Sequence, residues 1–250
     1  MNCLDQIRSF PGDVGFYYDP LDGSAPVEYQ ADLPLVAASI IKIPIMAAAF
    51  DAIRRGERRE DESFEIRPEM KKPSCGALTY MHDGLRVTLR DLVTLMIIVS
   101  DNTATNLLID TLGVAPVNAL MAAHGIPGLT LRRKLFEPEL SARGIQNTIT
   151  ARGVATLLKK LYNNELLGAP WDETMIGILK DQRLNGKLPF FLHDKGIRLA
   201  HKTGEDDGIT HDAGIVYTDH PFILVMLSNN VNVPAFERLM QDTAKELAGV

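Results

Sequence analysis

The sequence predicts an α+β protein in which one antiparallel sheet is built from both termini and flanked by helices, with a large all-α insertion between. Three observations carry that expectation. Short β-prone runs separated by turn residues lie near the N-terminus, helical periodicity dominates the middle, and β-prone runs return after Gly196. A chain of 250 residues is long enough to build a core without metals or disulfides. Its 46% hydrophobic and 23% charged residues are those of an ordinary globular protein, which sets aside disordered and fibrous classes.

Taken in order, Val14 to Tyr18 and Pro26 to Tyr29 are strand candidates, and the turn signal Asp19-Pro20-Leu21-Asp22-Gly23 between them makes a hairpin. From about Ala37 to Leu179 apolar residues recur at three- and four-residue spacing, most clearly in Leu89 to Ile98, Asn106 to Leu112 and Val154 to Leu161. No convincing strand interrupts that region. Its most apolar stretch, Leu33 to Phe50, holds Lys42 and Pro44 at its centre, so a buried helix is expected rather than a membrane span. The mixed-sign run Arg54 to Glu62 reads as solvated surface after that helix. Strands are then expected at Arg198 to Thr203, Gly214 to Tyr217 and Phe222 to Ser228, and a closing helix from Pro234 to about Leu247. The division that follows pairs residues 1–35 with 181–250 as an α/β domain and makes 36–180 an all-α domain, the active site lying in the cleft between them.

Charge narrows the partners. With 26 basic and 32 acidic residues the net charge is −6, and there is no basic tract, so neither nucleic acid nor an anionic membrane surface is an expected partner. Cys3 and Cys75 stand in no metal-ligand spacing, so neither a disulfide, a metal nor a cofactor is expected. Met1 to Phe10 contains Asp5 and Arg8 and no apolar run, which predicts a chain without a secretory leader.

Chemistry concentrates in three short segments. In Ser39-Ile40-Ile41-Lys42 the first and last residues are three apart, which on a helix puts hydroxyl and amine on one face within hydrogen-bonding reach. A serine hydroxyl is a weak nucleophile until a base takes its proton. Lysine serves as that base only if burial or a second cation lowers its pKa from about 10.4. Pro44 is tolerated only near a helix start, which places Ser39 at the N-terminus, where the helix dipole favours negative charge. Alone, the tetrapeptide also reads as a capping serine and a snorkelling lysine. Ser100-Asp101-Asn102 follows the apolar run Leu95 to Val99, placing polar groups at a core boundary where they need partners or serve as a helix cap. His201-Lys202-Thr203-Gly204 ends a predicted strand, offering an ammonium, a hydroxyl and a glycine that permits close backbone approach, or simply a turn.

The order Ser-x-x-Lys, Ser-Asp-Asn, Lys-Thr-Gly, with separations of 61 and 102 residues, resembles the class A serine β-lactamases and penicillin-binding proteins. His82-Asp83-Gly84-Leu85, Asp91 to Asn106 and Phe136-Glu137-Pro138-Glu139-Leu140 extend the resemblance over most of the chain. It implies a class A β-lactamase-like fold and hydrolysis of β-lactams through a covalent acyl-enzyme. By the same resemblance Ser39 is the nucleophile, Lys42 its base, and Ser100 the relay that protonates the leaving nitrogen. Asn102 meets the substrate's side-chain amide, Lys202 and Thr203 take its carboxylate, and the amides of Ser39 and Glu205, beside Gly204, form an oxyanion hole. Glu137 activates the water that releases the acyl group. The implied partner is a small β-lactam, the chain is expected to be a monomer, and the location implied is periplasmic or secreted, with the cytoplasm as alternative. A penicillin-binding protein with slow deacylation, or an esterase or peptidase of the same superfamily, are the competing functions.

Several residues depart from the family pattern. Leu135 and Asn147 stand where an Arg–Asp pair usually pins the loop carrying Glu137; losing both charges together is often nearly neutral. Ser141 replaces an asparagine that helps Glu137 hold its water. Glu205, Asp206 and Asp207 crowd the place where an anionic substrate docks, and His211 is the nearest candidate for an auxiliary cation.

Overall fold

The computed structural model describes residues 2–250; Met1, the start of both the leader reading and the first domain range, lies outside the described residues. The elements in chain order are α1 (Asn2–Ser9), β1 (Asp13–Asp19), β2 (Val27–Tyr29), β3 (Leu35–Val36), α2 (Lys42–Arg54), β4 (Ser63–Ile66), β5 (Leu85–Thr88), α3 (Leu89–Ile98), α4 (Asn102–Leu112) and α5 (Val114–Ala123). There follow α6 (Pro138–Ala142), β6 (Thr148–Ile149), α7 (Ala151–Tyr162), α8 (Trp171–Lys180), β7 (Arg198–Asp206), β8 (Ile209–Tyr217), β9 (Phe222–Asn229) and α9 (Val233–Ala248).

The main sheet has the order β2-β1-β9-β8-β7, with every neighbouring pair antiparallel, so both ends of the chain do build one sheet. Its inner strands are buried on both faces, and side-chain alternation sorts them into two cores. Ala200, Ala213, Ile215, Ile223, Val225 and Leu227 meet the large helical core. Leu199, Val216, Phe222, Leu224 and Met226 meet a smaller core closed by Ile7 of α1 and by Phe236, Leu239 and Met240 of α9. The expected hairpin is β1 with β2, and the closing helix is α9.

In the helical region α2 is the central element, buried from Lys42 to Ala52, as a helix apolar nearly all round must be. A capping box starts α3: the Thr88 hydroxyl accepts from the Asp91 amide while Asp91 accepts from that of Thr88. Arg54 to Glu62 is largely exposed, as expected of a solvated run. No single helix among the described residues is long and apolar enough to cross a membrane.

Two expectations need correction. Strands do interrupt the helical region: β3 pairs with β6, Leu35 opposite Ile149, and β4 with β5, Phe64 opposite Val87. Runs of two to four residues are too short to set up a period-two pattern against a helical background. The sequence reading also assigns no element to Asn2–Ser9, which forms α1 and seats Ile7 on the smaller core.

Two helical glycines have opposite surroundings, and this gives a paired test. A Cβ on Gly153 would lie 1.9 Å from the Pro127 carbonyl oxygen, whereas one on Gly177 meets nothing within 4 Å. Gly153→Ala is expected to lower stability by about 2 kcal/mol or more through backbone displacement, while Gly177→Ala raises it by about 0.5–1 kcal/mol. Urea unfolding midpoints of the two variants, moving in opposite directions, check this.

Candidate active site

Ser39 lies in a 3-10 turn, Ala38–Ile41, that runs directly into α2. Ile40 and Ile41 anchor the turn in the core and leave Ser39 half-buried on the wall of a cleft of about 460 Å³. Pro44 is the third residue of α2, where its missing amide hydrogen costs no helical bond. The same cleft is lined by Ser100, Asn102, Thr203, Gly204 and Glu205, so residues from all three sequence motifs come together.

Lys42 is fully buried, and its ammonium donates to Ser100 O at 2.8 Å, Ser100 Oγ at 2.9 Å and Asn102 Oδ1 at 2.9 Å. All three donors are thereby used, and none goes to Ser39. The expected direct Ser39–Lys42 hydrogen bond is therefore absent among the described residues; the turn at Ser39 is 3-10 and only Lys42 begins the α-helix. Burial first, and the nearby Lys202 ammonium second, hold the Lys42 pKa well below the ordinary lysine value. On losing its proton the amine keeps two hydrogens, so it must release one of these acceptors and gains a lone pair.

Lys202 comes from β7, also fully buried, and donates to Ser100 Oγ at 3.0 Å and to the Thr203 carbonyl at 2.8 Å. Burial pushes its pKa down to about 7, with the Asp212 carboxylate opposing and the Lys187 ammonium reinforcing. Ser100 Oγ thus accepts from two lysines. Both lone pairs are occupied, so its own hydrogen points away from them, on a side chain that lines the cleft. Asn102 Oδ1 is taken by Lys42, and Nδ2 donates one hydrogen to Pro73 O at 3.1 Å, which leaves one free. Asp101 is structural: it caps α4 through the Ala104 amide and also accepts from Ala77 and Leu78.

Gly204 allows the close approach that its motif suggests. A Cβ there would lie 3.2 Å from the Ser39 nitrogen and 3.0 Å from the His211 ring. His211 is not the auxiliary cation. Its Nδ1 accepts from the Ser228 amide at 3.0 Å, so the proton sits on Nε2 and is donated to Val36 O at 2.8 Å, and burial pushes its pKa down to about 4. The cation that does lie nearby is Lys187, which no motif in the sequence marks; it donates to Gly204 O and His211 O and pairs with Glu205. Among the described residues no cluster of three or more His, Cys, Asp and Glu side chains is arranged to hold a metal ion, and both cysteines are free.

Glu137 is not among the residues that line the cleft beside Ser39. Its Oε2 accepts from the Lys134 amide at 2.9 Å, and it opens on a neighbouring cavity of about 220 Å³; Leu135 and Phe136 line both cavities and lie between them. Ser141 Oγ accepts from Gln146 Nε2. The segment before Glu137 is pinned without the missing ion pair. Asn147 Oδ1 accepts from the amides of Arg132 and Arg133 while its Nδ2 donates to Arg133 O. Asn106 exchanges the same two bonds with Leu135, and Asn118 with Leu131. Each asparagine imitates a paired backbone strand, and no sequence rule for ion-pair clamps would find them.

Strain also collects here. Of the eight non-glycine residues with positive φ among those described, four line the cleft: Ala38 at 41°, Ser74 at 74°, Ser100 at 54° and Phe136 at 59°. Such conformations persist only where surrounding contacts impose them, and they concentrate at functional sites.

Comparison with known proteins supplies a family and a fold. A family model described as the beta-lactamase enzyme family matches residues 2–249. The chain is 26% identical over 270 residues to the beta-lactamase regulatory protein BlaB of Streptomyces cacaoi, spanning 86% of this chain and 85% of that one. Among solved structures, a beta-lactamase from Sphaerobacter thermophilus superposes with a TM-score of 0.90 at 30% identity, covering 99% of this chain and 96% of that one. A variant of PBP-A, solved as its acyl-enzyme complex with penicillin G, superposes with a TM-score of 0.88 at 29% identity, covering 99% and 94%.

The asparagine clamp yields a stability test. Asn147→Ala leaves the Arg133 carbonyl and two amides without their partner and is expected to cost about 2 kcal/mol in urea unfolding. Leu135→Ala, which keeps the backbone groups that Asn106 holds, should cost less.

Proposed function

The chain belongs to the beta-lactamase enzyme family, and from that membership we propose that it is a serine hydrolase that opens β-lactam rings through an ester on Ser39. The observation that carries the proposal is the Lys42–Ser100–Lys202 chain of hydrogen bonds beside Ser39 in one cleft. The active cleft lies where residues 1–35 with 181–250 meet residues 36–180. As Ser39 Oγ attacks the lactam carbonyl, neutral Lys42 takes its proton, and the amides of Ser39 and Glu205 receive the developing oxyanion. Ser100 passes its outward hydrogen to the departing ring nitrogen and is reprotonated from a lysine. Lys202 and Thr203 hold the substrate's carboxylate, Asn102 offers its free amide hydrogen, and Gly204 keeps the strand close to Ser39.

Release needs an activated water. Glu137 is the base we assign to it, and its carboxylate reaches the ester only when the Lys134–Glu137 turn opens, which makes release the slower step. A second reading, a penicillin-binding protein that acylates and holds its adduct, is favoured by that same placement of Glu137 in the neighbouring cavity.

Intact mass after a benzylpenicillin pulse is expected to show a one-to-one adduct that is absent in Ser39→Ala; no Ser39-dependent adduct or turnover with penicillin or a chromogenic cephalosporin would end this proposal. Glu137→Gln should acylate normally and prolong the adduct by about a hundredfold. An unaltered adduct lifetime would instead favour the second reading.

The pH dependence follows from Lys202. With a pKa of about 7 it is charged below that value and loses its ammonium as pH rises through it. Acylation by an anionic lactam is therefore expected to fall above about pH 7, and Lys202→Arg, which keeps its charge, to move that fall to higher pH. Stopped-flow acylation rates across pH 5 to 10, as a range of about five units around neutrality, measure both.

A further inference from the structure

Lys187 sits in the segment between α8 and β7 with only 4% of its side chain exposed. Its ammonium donates to Gly204 O at 3.1 Å and His211 O at 3.3 Å, two residues that face each other across β7 and β8. It also meets Glu205 Oε1 at 3.1 Å and Glu237 Oε1 at 3.6 Å. Glu205 and Glu237 line the cleft, whereas Lys187 lies behind them. Glu237 is further occupied by the Thr210 hydroxyl at 2.9 Å. Glu205 is held differently: its side chain is 55% exposed, and this ion pair with Lys187 ties it to the wall.

We propose that Glu205 determines specificity by acting as a built-in competitor, its carboxylate occupying the Lys187 ammonium that a substrate's own carboxylate would otherwise use. The proposal rests on the reading of this cleft as the site where Ser39 is acylated. An anionic substrate arriving at Lys202 and Thr203 meets the Glu205 charge and must displace it to reach the second cation. A substrate that is neutral at that position meets no such cost. The cleft as built therefore favours acyl donors whose group beside the Lys202 end carries no negative charge. Lys187 is the cation on this wall because His211 is neutral, whereas the guanidinium of Arg133 stands on another wall, donating to Ile145 O, Lys134 O and Gln146 Oε1.

The test compares benzylpenicillin with its neutral methyl ester, reading second-order acylation of Ser39 by intact mass. In Glu205→Gln the penicillin-to-ester rate ratio is expected to rise roughly fivefold or more, a modest effect because the ion pair is partly exposed. Adding Lys187→Gln, which retains a donor for the two carbonyls, should return the ratio to the wild-type value. Asp207→Asn removes a nearby acidic charge that is not paired with Lys187 and should shift the ratio less than twofold, as roughly expected for a screened surface charge. A ratio unmoved in Glu205→Gln, or raised equally by Asp207→Asn, overturns the inference while leaving acylation intact. Failure to find a Ser39 adduct with either compound in any of these proteins overturns the reading of the cleft and this inference with it.

Discussion

The hydroxyl of Ser100 is held between two fully buried lysines, and the architecture of the cleft follows from that arrangement. Burying one ammonium is costly and burying two side by side costs more, unless each finds oxygen acceptors and can yield its proton. The lysines and their acceptors come from three separated parts of the chain. The central helix α2 delivers Lys42, the turn between α3 and α4 supplies Ser100 O and Ser100 Oγ with Asn102 Oδ1 following at the first residue of α4, and the strand β7 delivers Lys202 with the Thr203 carbonyl. The left-handed backbone at Ser100 is part of that solution, since residue 100 presents both its carbonyl and its hydroxyl to the same ammonium.

The large features were legible in the sequence because they rest on periodicity and on short motifs. The sheet from both termini, the buried helix around Lys42 and the grouping of the three motifs around one cleft all follow from residue patterns that the fold has no freedom to ignore. What escaped detection depends on distances rather than patterns. Spacing of three residues predicts that Ser39 and Lys42 share a face, but cannot tell that Ser100 and Asn102 outcompete Ser39 for the three lysine hydrogens. The proton on His211 is decided by the Ser228 amide, seventeen residues away along the chain. Lys187 carries no motif at all, and its significance comes only from β7 and β8 placing two carbonyls within its reach.

The segment leading to Glu137 illustrates how one solution replaces another. Leucine and asparagine stand where a charged pair is usual, a double loss expected to be nearly neutral, and Asn106, Asn118 and Asn147 hold Leu135, Leu131 and Arg133 by paired backbone hydrogen bonds. The segment is thus firmly attached up to Leu135, and beyond it the exposed ring and left-handed backbone of Phe136 lie between the two cavities.

An amide has nothing to titrate. A loop fastened by carboxamides keeps its grip from mild acid to mild alkali and in concentrated salt alike, whereas one fastened by opposite charges loosens at either extreme. Beside a pair of buried lysines whose pKa values are pushed down, these electrically silent fasteners separate the framework from the groups that titrate, so acidity can change their charge without unlatching the wall that contains them.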